Sequence, residues 1–367
     1  MRKHVIVAFL GSVLLLSSVV VKAGNEQRVG QAGASELLIN PWARSSGFAG
    51  ANMASAHGLE AMYLNIAGTA FTKKTELLFS HSIWLSGTDI SINAFGLSQR
   101  VSETGVLSLA FMSMDFGAIE ITTVDQPEGG LGTFHPIYSN INIGYAKTFS
   151  NSIYGGLNLK IINEAIADVS ASGVAIDAGI QYVTGIGKNK LGKRNLDNLQ
   201  FGVSMKNIGP TMRFKGDGMS FRGTVPEGVT MTVEQRSAEF ELPSLINIGV
   251  AYIIPIVQLV DTSKNEIKRI QSLTVAGNFT SNSFQKDQYR FGLEYNFKDL
   301  VLVRAGYVYE KGLLDKETRT TAFTGPTAGV SIQIPLNDKG SVFALEYSYR
   351  DTDPFSGTHS IGARITL

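Results

Sequence analysis

A chain of 367 residues suits two soluble domains or one large barrel, so length alone does not choose. Charged residues make up only 17% and glycine numbers 39, which fits a polypeptide whose outer surface meets lipid and whose strands lie close to another backbone. A net charge of +1 gives no reason to expect nucleic acid or a strongly anionic partner, and the lack of cysteine excludes disulfides and a lipoprotein anchor.

The first element is a secretory signal over residues 1–23. Arg2, Lys3 and His4 form a basic head, 5–21 an apolar run, and Val21, Lys22 and Ala23 a small-residue cleavage site. The run is short for a retained membrane helix, and no later stretch reaches the roughly twenty apolar residues that such a helix needs. Lipid tolerates only helices and closed barrels, because only these satisfy every backbone polar group. An exported chain without a second helix but with many alternating segments therefore points to a multi-pass barrel in the outer membrane of a diderm bacterium.

Residues 24–36 are polar and read as a mobile arm. Residues 37–71, LLINPWARSSGFAGANMASAHGLEAMYLNIAGTAF, are rich in Gly, Ala and Ser, nearly free of charge, and show no strand alternation. Only 58–64 reads as a short helix. The large apolar groups Leu37, Leu38, Ile39, Trp42, Phe48, Met53, Met62, Tyr63 and Phe71 are too many for a solvated linker, and the small residues cannot hold a core alone. The stretch needs a container. We read 24–74 as a periplasmic segment followed by a lumen plug, and 75–367 as the barrel that encloses it.

Strands are predicted at 75–85, 88–99, 104–115, 136–149, 152–164, 171–184 and 196–208. After a charged connection at 209–240, in which 229–234 has the pattern of a separate ribbon, come 241–254, 271–281, 287–297, 300–310, 320–334, 340–350 and 358–367. The count is about fourteen, and single-chain bacterial barrels require an even number. The expected fold is thus all-β: a transmembrane antiparallel β-barrel of about 14 strands with an N-terminal plug. Two connections, 185–195 and 255–270, read as long turns at the inner end, while 116–135 and 209–240 fall outside the cell.

The period is clearest at 287–297. Tyr289, Phe291, Leu293, Tyr295 and Phe297 share one face, and Gln288, Arg290, Gly292, Glu294 and Asn296 share the other. A soluble β-sandwich also alternates, but it would bury one of these faces as a dry core. The inward set includes Arg290, Glu294, Arg304, Glu310, Glu346, Arg350 and Arg364, with Gly292, Gly306, Ala344 and Gly362 between them. Opposed charges can pair across a narrow lumen and bind a plug, and glycines let the plug approach, so the barrel is expected to be blocked.

No motif points to catalysis. Gly187 to Lys193 misses a phosphate loop because Arg194 stands where Ser or Thr would hold magnesium and no amphipathic helix follows. Asp115-Phe116-Gly117 lacks a companion catalytic loop. His57, His81, His135 and His359 are too scattered for metal-ligand spacing. The expectation is a non-enzymatic protein with no catalytic, metal or cofactor residues.

The N-terminal stretch resembles the opening of the PorV/PorQ family of FadL-like outer-membrane barrels, where a similar run ends in Asn-Pro-Ala-Gly. Here it is Asn65-Ile66-Ala67-Gly68. Phe355-Ser-Gly-Thr-His359 and the last strand also look like that family's closing strand, although the chain ends in Leu367 where an aromatic is usual. The resemblance implies a role in type IX secretion: binding and shuttling cargo that carries C-terminal signal domains between the translocon and a surface-attachment complex. Loops 116–135 and 209–240 would be the contact. The alternative is a FadL-like channel for hydrophobic small molecules, which requires an apolar inner pocket near the outer mouth and a strand kink opening sideways to lipid. Trp42, Arg44, Asn65 and Gly68 are the plug residues on which either reading leans.

Overall fold

The computed structural model describes residues 26–224, 226, 228–261, 266–337 and 340–367; the expected signal peptide at 1–23 lies outside them. The strands, in chain order, are β1 (Thr75–Ile83), β2 (Ser91–Arg100), β3 (Gly105–Asp115), β4 (Ile119–Glu120), β5 (Thr133–Phe134), β6 (Ile137–Thr148), β7 (Ile153–Ile166), β8 (Val169–Thr184) and β9 (Leu199–Ile208). They continue as β10 (Ser220–Thr224), β11 (Thr230–Glu234), β12 (Leu245–Asp261), β13 (Glu266–Asn282), β14 (Gln288–Phe297), β15 (Val301–Glu310), β16 (Phe323–Pro335), β17 (Val342–Thr352) and β18 (Thr358–Thr366).

Among the described residues, fourteen of these close into one antiparallel barrel in which neighbours in sequence are neighbours in space, and β1 pairs with β18 to seal it. The short pairs β4–β5 and β10–β11 are separate ribbons in the two long connections. Closure leaves no open sheet edge, as hydrocarbon demands. Ten residues of β14 reach about 33 Å, or about 25 Å once tilted, which matches the hydrocarbon band.

The pleat sorts the side chains as the alternation predicts. Phe291, Leu293, Val303 and Leu345 point outward and are about half exposed, whereas Glu294, Arg304 and Glu346 point inward and are buried. In the β14–β15 ladder Glu294 lies opposite Arg304 and Gly292 opposite Gly306, so ion pairs and gaps occur in matched positions.

Two sequence expectations are corrected. Within the stretch expected as a long turn, 255–261 and 266–270 are strand: β12 and β13 run for 17 residues each, and register shifts at Pro255/Val257 and Val257/Gln258 absorb the proline without ending the ladder. The polar arm, in its described part 26–36, is neither free nor at the inner end. Arg28 pairs with Glu241 and lies 4.3 Å from the Phe284 ring centroid, and Gly33 N donates to Glu241 O at 3.1 Å. These partners sit beside the long 209–244 connection, so the chain enters the lumen from the outer mouth and descends to β1.

Candidate functional site

The lumen and its plug form the site. Small residues allow the plug to fold as tight turns where one helix at 58–64 was expected: a short helix α1 (Ala43–Gly47) and successive 3-10 turns at Ser35–Leu38, Ala51–Ala54, Gly58–Tyr63 and Ile66–Phe71. Such turns leave many backbone groups unpaired, and the wall supplies partners. Gln181 Nε2 donates to Met53 O and Ala56 O, Lys206 Nζ to Tyr63 O at 2.7 Å, and Ser204 Oγ to Leu64 O.

The structure places the four named plug residues inside the barrel in distinct settings. Trp42 is fully buried and meets the Tyr63 ring edge-on at 5.6 Å. Asn65 accepts from Ala67 N and donates to Ile180 O and Val203 O, tying the plug to β8 and β9. Gly68 packs so closely that a β-carbon would lie 2.1 Å from Ala56 O. Arg44 reaches Glu60 within the plug at 3.6 Å and Glu294 of the wall at 3.3 Å.

Of the lumen residues, four are brought into ion pairs. Arg304, whose side chain is fully buried, donates to Glu294 at 2.5 Å, and Arg364 pairs with Glu346 at 3.2 Å. Arg290 and Arg350 make no ion pair among the described residues; Arg290 donates to Gln288 Oε1 and Arg350 stacks on the Phe323 ring at 3.7 Å. Gly292 faces Phe48, whose ring fills the space that a side chain there would need.

Sequence reasoning missed a second polar cluster on the opposite wall. Lys160 pairs with Asp177 at 2.8 Å, and a ladder of Tyr63, Asn140, Asn142 and Asn158 runs beside it. Its signal was present: Asp177 is the one charge of β8, and Lys160 shares the inward parity of β7 with Asn158. Arg100, at the foot of β2, was missed too; it donates to the carbonyls of Ala70, Thr72 and Lys73 and fastens the plug's exit to the wall.

Above the plug, Leu37, Ile39, Trp84, Phe116, Met212, Phe214 and Phe240 form an apolar cluster under the outer loops. Beside it lies a cavity of about 80 Å³ and another of about 170 Å³; Leu38, Gln288, Arg290, Thr321, Phe323 and Arg350 line both. A third cavity, about 430 Å³, opens at the inner end and is lined by Arg44, Phe48, His57, Gln200, Glu294 and Asn296 among others. The turn at 43–50 separates the outer cavities from the inner one.

The wall next to the outer cavities is interrupted. The β15–β16 ladder runs from Val301↔Ile332 to Tyr307↔Pro326 and stops there. Pro326 has no N–H to donate, Gly325 takes φ +115, and β16 bulges against β17 between Phe323 and Thr327. Val308, Pro326, Gly325 and Phe323 at this break all line the 80 Å³ cavity.

No protein-family model and no curated protein sequence matches the chain. Among solved structures, the Pseudomonas putida toluene transporter TodX superposes with TM-score 0.54 at 11% identity, covering 89% of this chain and 97% of TodX. The fold is therefore a closed barrel similar to that of TodX. A TodX monoaromatic hydrocarbon channel lacking S2 and S3 superposes with TM-score 0.52 at 12% identity, over 88% and 97% of the two chains. A FadL homologue of Pseudomonas aeruginosa gives TM-score 0.47 at 10% identity, over 88% and 96%. At such identities the likeness is one of fold; the outer-membrane location rests on the closed fourteen-strand barrel with its apolar outward face.

Proposed function

We propose that the barrel is a conduit for a small, largely hydrophobic molecule, which enters at the outer mouth and leaves through the wall between β15 and β16. The observation that carries this reading is the ladder break at Tyr307/Pro326 beside a cavity with apolar residues Leu38, Val308, Leu313, Phe323 and Pro326 in its lining. Above Tyr307 the β15–β16 ladder gives Val308–Glu310 no partner, so no ladder bond closes the outward route there. The route downward is closed by the Arg44–Glu294 pair and by Phe48 against Gly292. The fold shared with a toluene transporter supports the same reading.

The test is uptake of radiolabelled toluene by diderm cells expressing the protein behind an intact lipopolysaccharide leaflet. Expression raises uptake several-fold, and Val308→Trp, which fills the break with indole, returns it to background. Uptake equal to that of cells carrying an empty vector overturns the reading.

A second reading keeps the type IX role, with translocon, secreted C-terminal signal domains and a surface-attachment complex as partners. The two long outer connections favour it. They fold into ribbons that hold Val124, Leu131, Phe221, Val229 and Met231 exposed above the barrel, and apolar side chains grouped in this way suit a protein contact. Deletion of 116–135 or 209–240 then abolishes cargo pull-down; unchanged secretion in both deletions removes this reading.

A further inference from the structure

We propose that the outer face of the hairpin formed by β12 and β13, with the lysines beside it, binds an anionic phospholipid of the inner leaflet. The site lies at the opposite end of the barrel from the outer cavities and does not depend on what passes through the lumen.

The hairpin overhangs its neighbours. The β9–β12 ladder ends at Tyr252↔Leu199 and the β13–β14 ladder at Gln271↔Phe297, but β12 and β13 stay paired with each other as far as Asp261↔Glu266. Its two faces differ. Gln258, Ile267 and Arg269 lie against the turn at 189–197, where Lys190 Nζ donates to Gln258 O at 3.2 Å and Arg269 pairs with Asp197. On the other face Ile254, Ile256, Val257 and Leu259 stay between 36% and 59% exposed. They continue the lipid-facing row of Ile246, Ile248 and Val250 on the same strand, so one apolar face starts in hydrocarbon and runs on past the level of Phe297.

Charge at this end is positive. The turn at 185–195 carries Lys188, Lys190, Lys193 and Arg194 and no acid, whereas the outer connection at 116–135 carries Glu120, Asp125 and Glu128 and no lysine or arginine. On the far side of the hairpin, Lys298 N donates to Ile270 O at 2.7 Å and its Nζ lies 5.3 Å from the Phe297 ring centroid, while the exposed Lys268 stands opposite Leu259. Two of the carboxylates nearby are engaged, Asp197 by Arg269 and Asp299 by Asn296 Nδ2.

The order of groups along the wall matches that of a phospholipid. Val257, Gln271 and Phe297 are successive ladder partners; Lys298 follows Phe297, and Lys268 lies nearer the hairpin tip than Gln271. The cations therefore stand farther from the hydrocarbon than Ile254 and Ile256 do. A lipid here lays its acyl chains on Ile254, Ile256 and Val257 and sets its phosphate at Lys268 and Lys298, whose methylene stems extend the apolar surface. Anionic headgroups are favoured over zwitterionic ones, because an ammonium in the headgroup repels the same lysines.

The full mature chain is labelled with bimane at Ile256→Cys, a unique site because the chain has no cysteine. It is reconstituted in phosphatidylcholine vesicles that contain brominated phosphatidylglycerol or, at the same mole fraction, brominated phosphatidylethanolamine. Quenching by the anionic lipid is expected to be about threefold stronger or more, since each lysine at a membrane surface contributes about fivefold to that preference. Lys268→Gln combined with Lys298→Gln brings the two lipids level. Lys73→Gln combined with Lys74→Gln, beside β1 on the opposite side of the barrel, leaves the preference intact. Heat-modifiable migration on SDS gels shows that each variant is a folded barrel. Equal quenching by the two lipids in the parent protein, or a preference that survives neutralisation of Lys268 and Lys298, overturns the proposal. A loss of the same size in the Lys73 and Lys74 variant also overturns it, because general rim charge would then hold the lipid. So does a bimane that neither lipid quenches, which would leave the hairpin in water as a contact for a periplasmic protein.

Discussion

Glu294 is the residue on which the closed lumen most depends. It holds Arg304 of the wall and Arg44 of the plug, and Arg304 has no contact with solvent. Removing the charge strands the buried Arg304, while Arg44 keeps Glu60, so Glu294→Gln is expected to cost about 3–5 kcal/mol. The onset temperature of heat-modified migration on SDS gels should fall accordingly. Replacing Glu294 and Arg304 together with Leu should cost much less, because two apolar groups leave no uncompensated charge between them. At the same scale, Asn65 shows how one amide supports three backbone groups: those of Ala67, Ile180 and Val203. Its place in the plug was readable from the sequence, but its partners on β8 and β9 were not.

At the scale of elements, plug and wall have opposite requirements. The wall satisfies its own backbone, whereas the plug's short turns borrow donors from Gln181, Lys206 and Arg100. A chain of this composition would have no stable fold outside the container. Deleting residues 26–74 while retaining the signal peptide should leave a closed sheet around an empty lumen. In planar bilayers this variant should show a large, steady conductance, and the intact protein should show none. β16 is the exceptional strand. Gly325 and Pro326 in a membrane-crossing strand argue against simple pairing, and the ladder to β15 does end at Pro326. The sequence contained both residues, yet which neighbour they release depends on a register set by the whole barrel.

For the whole molecule, an even number of strands places both ends of the sheet on one side, and the long connections lie on the other. Because the chain has no cysteine, single-cysteine variants report sidedness directly. Thr123→Cys, in the connection that carries β4 and β5, should react with an impermeant maleimide on intact cells. Lys190→Cys, between β8 and β9, should react only after the outer membrane is opened. Labelling of both on intact cells would invert or abolish the assigned topology.

Period-two alternation, a run of small residues and the absence of charge determined a barrel, its fourteen strands, its inward and outward faces and a plug, because each is a local consequence of which side chains hydrocarbon accepts. Tertiary structure alone decided that residues 26–36 enter from the outer mouth, that Lys160 of β7 meets Asp177 of β8, and that Arg290 and Arg350 line one cavity. Those outcomes depend on which strands become neighbours and how far each is shifted along the next. Closure of the barrel sets that shift for all strands together, and no local stretch of sequence contains it.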